Sequence, residues 1–118
     1  MKTTTLFCLL VGTALISGCA TLYEKPDPFV GQWKIQYSRS PGTLTIKKED
    51  GVYLGFLTYT GTEYELNNLS IEANGLLSSG FNYQGYSVEM NASLDGTSIT
   101  GQNNIQNRTF EFSGEKVE

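Results

Sequence analysis

The stretch Tyr86-Ser87-Val88-Glu89-Met90-Asn91-Ala92-Ser93-Leu94 alternates apolar with polar side chains along its length. Successive strand side chains point to opposite faces, so this pattern puts Tyr86, Val88, Met90, Ala92 and Leu94 on one buried face and the polar residues in water. The same reading extends outward in both directions. Trp33, Ile35 and Tyr37 oppose Gln32, Lys34 and Gln36; Leu44 and Ile46 oppose Thr43, Thr45 and Lys47; Phe110 and Phe112 oppose Thr109, Glu111 and Ser113. Phe81 and Tyr83 join the apolar face of the strand that precedes the quoted stretch.

Between these runs, turn signals recur about every ten residues: Pro41-Gly42, Asp50-Gly51, Thr60-Gly61, Asn74-Gly75, Gln84-Gly85, Asp95-Gly96 and the region Asn104 to Asn107. Seven turns predict about eight strands joined as hairpins. One-sided antiparallel strands bury their apolar faces most simply by closing, so the fold class is all-β, a small up-and-down antiparallel barrel. Gly55 and Gly101 fall in mid-strand, where coiling requires that a side chain be absent.

Two segments depart from the alternation. Tyr64 and Leu66 are out of phase with Leu69 and Ile71, which reads as a bulge at Asn67-Asn68 that re-aims the strand. Around Tyr53, Gly55, Leu57 and Tyr59 the other face also carries apolar residues, Leu54 and Phe56 among them. Either the N-terminal segment covers these two, through Tyr23 or Phe29, or they form an exposed patch that meets a partner.

The chain opens with Met1-Lys2 and an uncharged apolar run through Leu6, Phe7, Leu9, Leu10, Val11, Leu15 and Ile16. A basic start, a short apolar core and a small-residue exit form the pattern of a secretory signal peptide. The run falls short of the roughly 18 residues a spanning helix needs. Ile16-Ser17-Gly18-Cys19 resembles the lipobox of bacterial lipoproteins. That resemblance implies diacylglycerol on the Cys19 thiol, cleavage after Gly18, and acylation of the new amino group by a chain such as palmitate. The expected organisation is a signal peptide over 1–18, a lipidated cysteine with a tether over 19–28, and the barrel over 29–118. Two or three acyl chains hold a protein firmly where one is marginal. Ala20 follows the cysteine, and by the sorting rule of enteric-type bacteria the resemblance places the protein in the outer membrane, facing the periplasm.

After cleavage the chain carries seven bases against twelve acids, a formal charge of −5. That is poor material for nucleic acid. The only cysteines are Cys8, in the signal peptide, and Cys19, so the domain has no disulfide. Histidine is absent from the whole chain, which removes the commonest general base and zinc ligand. No acidic pair stands in a recognisable catalytic motif. The expectation is therefore a non-enzyme with no catalytic residue, metal or cofactor. The sequons at Asn68, Asn91 and Asn107 read as turn and strand asparagines.

Gly31-Gln32-Trp33 on the first strand resembles the Gly-x-Trp of lipocalins and their calycin relatives. The order of motifs from Gly31 to Val117 is similar to that of short lipocalin-like domains in bacterial exported proteins. The resemblance implies that Trp33 closes one end of the barrel beneath a basic side chain of the last strand, Lys116 or Arg108. Two functions follow as expectations. One is a lipid-anchored cell-envelope interaction module that meets an envelope protein or a second copy of itself through Leu54 and Phe56. The other is a lipocalin-like binder of a small apolar or amphipathic ligand, lined by Trp33 with hydrogen bonds from Ser79, Tyr83 and Asn103.

Overall fold

A computed structural model describes residues 26–117. Nine strands follow in order: β1 (Gly31–Gln36), β2 (Pro41–Glu49), β3 (Val52–Tyr59), β4 (Thr62–Glu65), β5 (Asn67–Ile71), β6 (Leu76–Tyr83), β7 (Tyr86–Asp95), β8 (Ser98–Ile105) and β9 (Arg108–Lys116). All pairings are antiparallel, in the order β4-β3-β2-β1-β9-β8-β7-β6-β5. Because β1 lies against β9, the sheet curls into a nearly closed up-and-down barrel. Among the described residues no helix is long and apolar enough to cross a membrane.

Nine strands stand where the turn count predicts about eight, and the reason is local. Thr62–Glu65 pairs with β3, then Asn67–Ile71 continues in the same direction but pairs with β6. The fourth strand is thus one bent strand that changes neighbour partway. The break falls at the expected bulge: Asn68 has φ 53°, and the register with β6 shifts between Asn67 and Ser70. Leu66 donates its amide to Gly55 O at 2.9 Å, and its side chain and that of Leu69 fill the space over Gly55. A Cβ at Gly55 would stand 2.7 Å from Leu66 Cδ1, so the missing side chain makes room for the bend.

The hairpins are built by local chemistry. Asp50-Gly51, Thr60-Gly61, Gln84-Gly85 and Gln106-Asn107 each hold two consecutive positive φ values, the requirement of a type I′ turn, whose twist matches the flanking strands. Pro41-Gly42 departs from expectation. It opens β2, and the reversal falls earlier, over residues 38–40. Proline at the first residue of a strand loses no needed ladder bond, which lets the strand begin there.

In an up-and-down barrel alternate turns share an end. Residues 38–40, 60–61, 84–85 and 106–107 form one end, the mouth. The other, the floor, carries residues 50–51, 72–75 and 96–97 together with both chain ends of the barrel. The interior is packed: Trp33, Leu44, Ile46, Met90 and Ile99 are all almost fully buried, joined by Ile35, Leu57, Leu77, Phe81, Val88, Leu94 and Phe112. Each such side chain contributes about 1.5–3 kcal/mol on burial. Phe110 and Tyr86 have the inward phase but lie beside mouth turns, where the barrel ends, and are 46% and 47% exposed. Gly101 matters to this packing, since a Cβ there would come within 2.7 Å of the Phe112 ring and 2.6 Å of Asn91 O.

Candidate functional site

Three places carry the sequence-expected functional residues: the floor, the mouth and the outer wall of β3. Cys19 and Tyr23 lie outside the described residues.

At the floor, Trp33 is fully buried. Its strand partner across β9 is Lys116, whose Nζ stands 5.7 Å from the indole ring centre and donates to Pro28 O at 2.9 Å. The indole N–H donates to Phe29 O at 3.1 Å. Lys116 is thus the basic partner, and Arg108 stands at the opposite end, beside the 106–107 turn. Asp27 and Pro28, expected in the tether, are instead fastened to the barrel. The Asp27 carboxylate accepts from Tyr53 Oη at 2.6 Å, from Lys48 Nζ at 3.1 Å and from the Phe29 amide at 2.9 Å. Desolvation pushes that carboxyl up, but the Tyr53 hydroxyl, the Phe29 amide and the Lys48 ammonium outweigh it and hold it below the usual aspartate value. The Phe29 ring packs edge-on against Tyr53. Residues 27–29 therefore cross the floor as a strap from β2 and β3 to β1 and β9.

The mouth is a ring of tyrosines. Tyr37, Tyr59, Tyr83 and Tyr64 follow one another with ring centres 5.2, 6.4 and 5.4 Å apart, backed by Phe112 and Phe81. Tyr59 Oη shares a hydrogen bond of 2.7 Å with Ser40 Oγ. Tyr64 reaches Phe81 and Tyr83 where β4 and β6 face each other without backbone pairing, so aromatic side chains seal that part of the wall. Just beneath, Ser79, Met90 and Asn103 share one register row. Asn103 is 6% exposed; its Nδ2 donates to Tyr37 Oη at 2.8 Å, while its Oδ1 has no partner. Burial pushes the Tyr37 hydroxyl up to about 12, with the Asn103 hydrogen bond opposing. Ser79 spends its proton on Asn67 O at 2.8 Å, tying β6 to the bend of the fourth strand.

On the outer wall, Leu54 and Phe56 face away from the core as the alternation predicts. Leu54 is 36% exposed, and Phe56 is half-buried with Lys47 Nζ 5.7 Å from its ring centre. Phe29 does not cover them, because its ring lies on Tyr53, on the inner face of the same strand. Among the described residues no group of three His, Cys, Asp or Glu side chains is placed to hold a metal ion.

Sequence reasoning missed Asp27, Tyr37, Tyr59 and Tyr64. The tyrosines had a signal: each stands next to one of the turns at 38–40 and 60–61, or two residues inside it, and an up-and-down order sends those turns to one end. Asp27 had none, since an acid between two prolines looks solvated until Tyr53 and Lys48 are known to lie beside it.

No protein-family model matches the chain, and no curated protein sequence does. The fold is similar to that of secretory abundant heat soluble protein 4 from Ramazzottius varieornatus, with a TM-score of 0.54 and 10% sequence identity over 82% of this chain and 100% of that one. At that identity the likeness is one of fold.

Proposed function

We propose that this protein is a membrane-anchored cell-envelope lipoprotein that works by binding another protein rather than by catalysis, with Leu54 and Phe56 at the contact. The observation that supports it is the division of the barrel. The interior is filled by side chains that are nearly all inaccessible, and the mouth is occupied by interlocked tyrosines. Recognition then belongs to the outer surface. There Leu54 and Phe56 neighbour each other on the outer face of β3, Leu54 exposed and Phe56 half-buried with Lys47 beside its ring. Attachment through Cys19 rests on the lipobox resemblance, and an outer-membrane position facing the periplasm rests on Ala20 under the sorting rule of enteric-type bacteria.

The test pairs two measurements on the protein from its native membrane. Mass spectrometry should find the processed, acylated N-terminus at Cys19, and Cys19→Ser should abolish it. Leu54→Ser with Phe56→Ser should cost about 1–2 kcal/mol, the partly buried Phe56 ring and its Lys47 contact being given up, while abolishing crosslinks formed in intact cells. A large loss of stability with crosslinking unchanged would refute the contact.

One observation favours a second reading, a lipocalin-like site for a small amphipathic ligand. Asn103 Oδ1 is buried and unpartnered beneath the tyrosine ring, and a buried acceptor without a donor costs about 1–3 kcal/mol. A ligand hydroxyl or amine entering between Tyr37, Tyr59 and Tyr83 would satisfy it. A small molecule co-purifying with the protein, and lost on Asn103→Leu, would favour this reading over the first.

A further inference from the structure

The strap has a mechanical meaning once the anchor is considered. Residues 27–29 are held on the floor by four hydrogen bonds from the barrel, Tyr53 and Lys48 to Asp27, Lys116 to Pro28 O and Trp33 to Phe29 O, while the Phe29 amide closes the strap on its own Asp27. The chain therefore leaves the barrel from the floor. Only the seven steps from Cys19 to Pro26 separate that exit from the acylated residue. Fully extended they span roughly 25 Å, at about 3.5 Å each.

An eight-residue strand such as β3 or β6 rises about 27 Å, or about 20 Å along the barrel axis at a tilt near 40°. To bring the mouth to the bilayer, the tether would have to run back along the whole wall and spend about 20 of its roughly 25 Å on that alone. Turning the floor toward the membrane costs nothing of the kind. The floor is also suited to a lipid surface. Of the six large hydrophobics that stand exposed among the described residues, Val52, Leu76 and Val117 sit on its rim, at three separated points of the ring, at 57%, 47% and 51% exposure, while the mouth holds two, Tyr86 and Phe110, on β7 and β9 to either side of β8, and Leu54 lies on the wall. Lys47, Lys48 and Lys116 share this end with Glu49, Asp50, Glu72, Asp95 and Glu115, so acids outnumber bases and the fit is to a zwitterionic surface, not an anionic one.

We propose that the floor of the barrel is a membrane-facing surface, held against a zwitterionic lipid surface by the Asp27 strap, so that the tyrosine mouth points away from the bilayer. This rests on the lipoprotein reading above. It gives the barrel a fixed polarity, with the floor spent on the membrane and the mouth and the wall above the floor rim, Leu54 and Phe56 included, left for partners.

The mature protein has no cysteine but the blocked Cys19, so single cysteines can report on each end. Ala73→Cys and Thr97→Cys mark the floor, Ser38→Cys and Ser87→Cys the mouth, all at exposed positions. Each variant is purified in its acylated form, labelled with a fluorophore and reconstituted into phosphatidylcholine and phosphatidylethanolamine vesicles carrying a headgroup nitroxide. The floor labels should be quenched several-fold more strongly than the mouth labels. Asp27→Ala should bring the two sets together while the emission of Trp33, the single tryptophan, keeps its buried position. Equal quenching at both ends, stronger quenching at the mouth, or a contrast that survives Asp27→Ala would each overturn the proposal as stated. A Cys19 found without acyl chains by mass spectrometry would instead bring down the lipoprotein reading and this inference with it, so the two failures are told apart.

Discussion

Trp33 and Lys116 face each other across β1 and β9, the indole fully buried and the ammonium 5.7 Å from its ring centre. The two residues come from opposite ends of the domain, and their contact joins the pairing that closes the barrel to the strap that covers its floor. Trp33→Ala should cost about 3–5 kcal/mol in urea unfolding, the range for a large buried aromatic. Lys116→Met keeps the aliphatic stem but removes both the charge over the ring and the hydrogen bond to Pro28 O, so it should cost about 1–2 kcal/mol.

Two mid-strand glycines should respond differently to alanine. At Gly101 the added Cβ meets Asn91 O at 2.6 Å, and a backbone atom in a paired strand has nowhere to go. Gly101→Ala should cost about 1–3 kcal/mol, as overpacking does. At Gly55 the Cβ meets the ends of the Leu66 and Leu69 side chains at 2.7 and 2.9 Å, which can rotate away. Gly55→Ala should therefore be the milder of the pair in thermal denaturation.

Asn103 and Tyr37 form a pair in which one atom, Asn103 Oδ1, is left over. Removing both polar groups with Asn103→Leu and Tyr37→Phe takes away the bond and the orphan together. The double variant should lie within about 1 kcal/mol of the parent or above it, because replacing both partners by apolar groups is nearly neutral. Asn103→Ala alone leaves Tyr37 Oη unpaired over a void and should cost about 2–3 kcal/mol. Equilibrium unfolding of the three variants side by side separates these outcomes.

The strap should be sensitive to acid. Asp27 has its carboxyl held below 3.8, so the folded state binds its proton less readily than the unfolded chain. The stability this contributes is present above the unfolded value and is lost as pH falls through the folded one. Asp27→Asn should therefore lower stability at neutral pH slightly and flatten the decline below pH 3.8, measured as melting temperature against pH. A decline as steep in the variant as in the parent would show that other carboxylates set the acid limb.

The barrel was legible in the sequence because its information is local. Alternation such as that from Tyr86 to Leu94, and turn pairs such as Asp50-Gly51, determine faces and reversals without reference to distant residues. The bend at Asn67-Asn68 was legible for the same reason, as a phase shift between Leu66 and Leu69. What the alternation could not show was that the bent strand leaves β3 for β6, since that depends on how far the sheet has curled when it arrives. The Trp33–Lys116 contact was readable only through a family resemblance. The strap was not readable at all: Asp27 gains its meaning from Tyr53 and Lys48, and sequence places neither of them beside it. Phe110 shows the complementary limit, because periodicity gives the face of a side chain but not whether the barrel still extends over it.

The pairing of β1 with β9 also sets a schedule for folding. Every other contact between neighbouring strands forms within a hairpin or across the short loop at the bend, so most of the sheet can zip together as soon as each segment is available. The last seam joins the two ends of the domain, a closure roughly eight times longer than a hairpin, which adds about 2 kcal/mol of loop entropy at about 0.6 kcal/mol per doubling. Non-local closures of this kind are slow. Until β9 arrives, β1 has one bare edge and Trp33 lacks half its surroundings. A chain that emerges N-terminus first thus holds an open sheet, with an edge able to pair with another molecule, for as long as its last strand is delayed. Completion of the fold hangs on that one strand, and truncations that remove even part of Arg108–Lys116 should leave a species that aggregates, not a slightly weakened barrel.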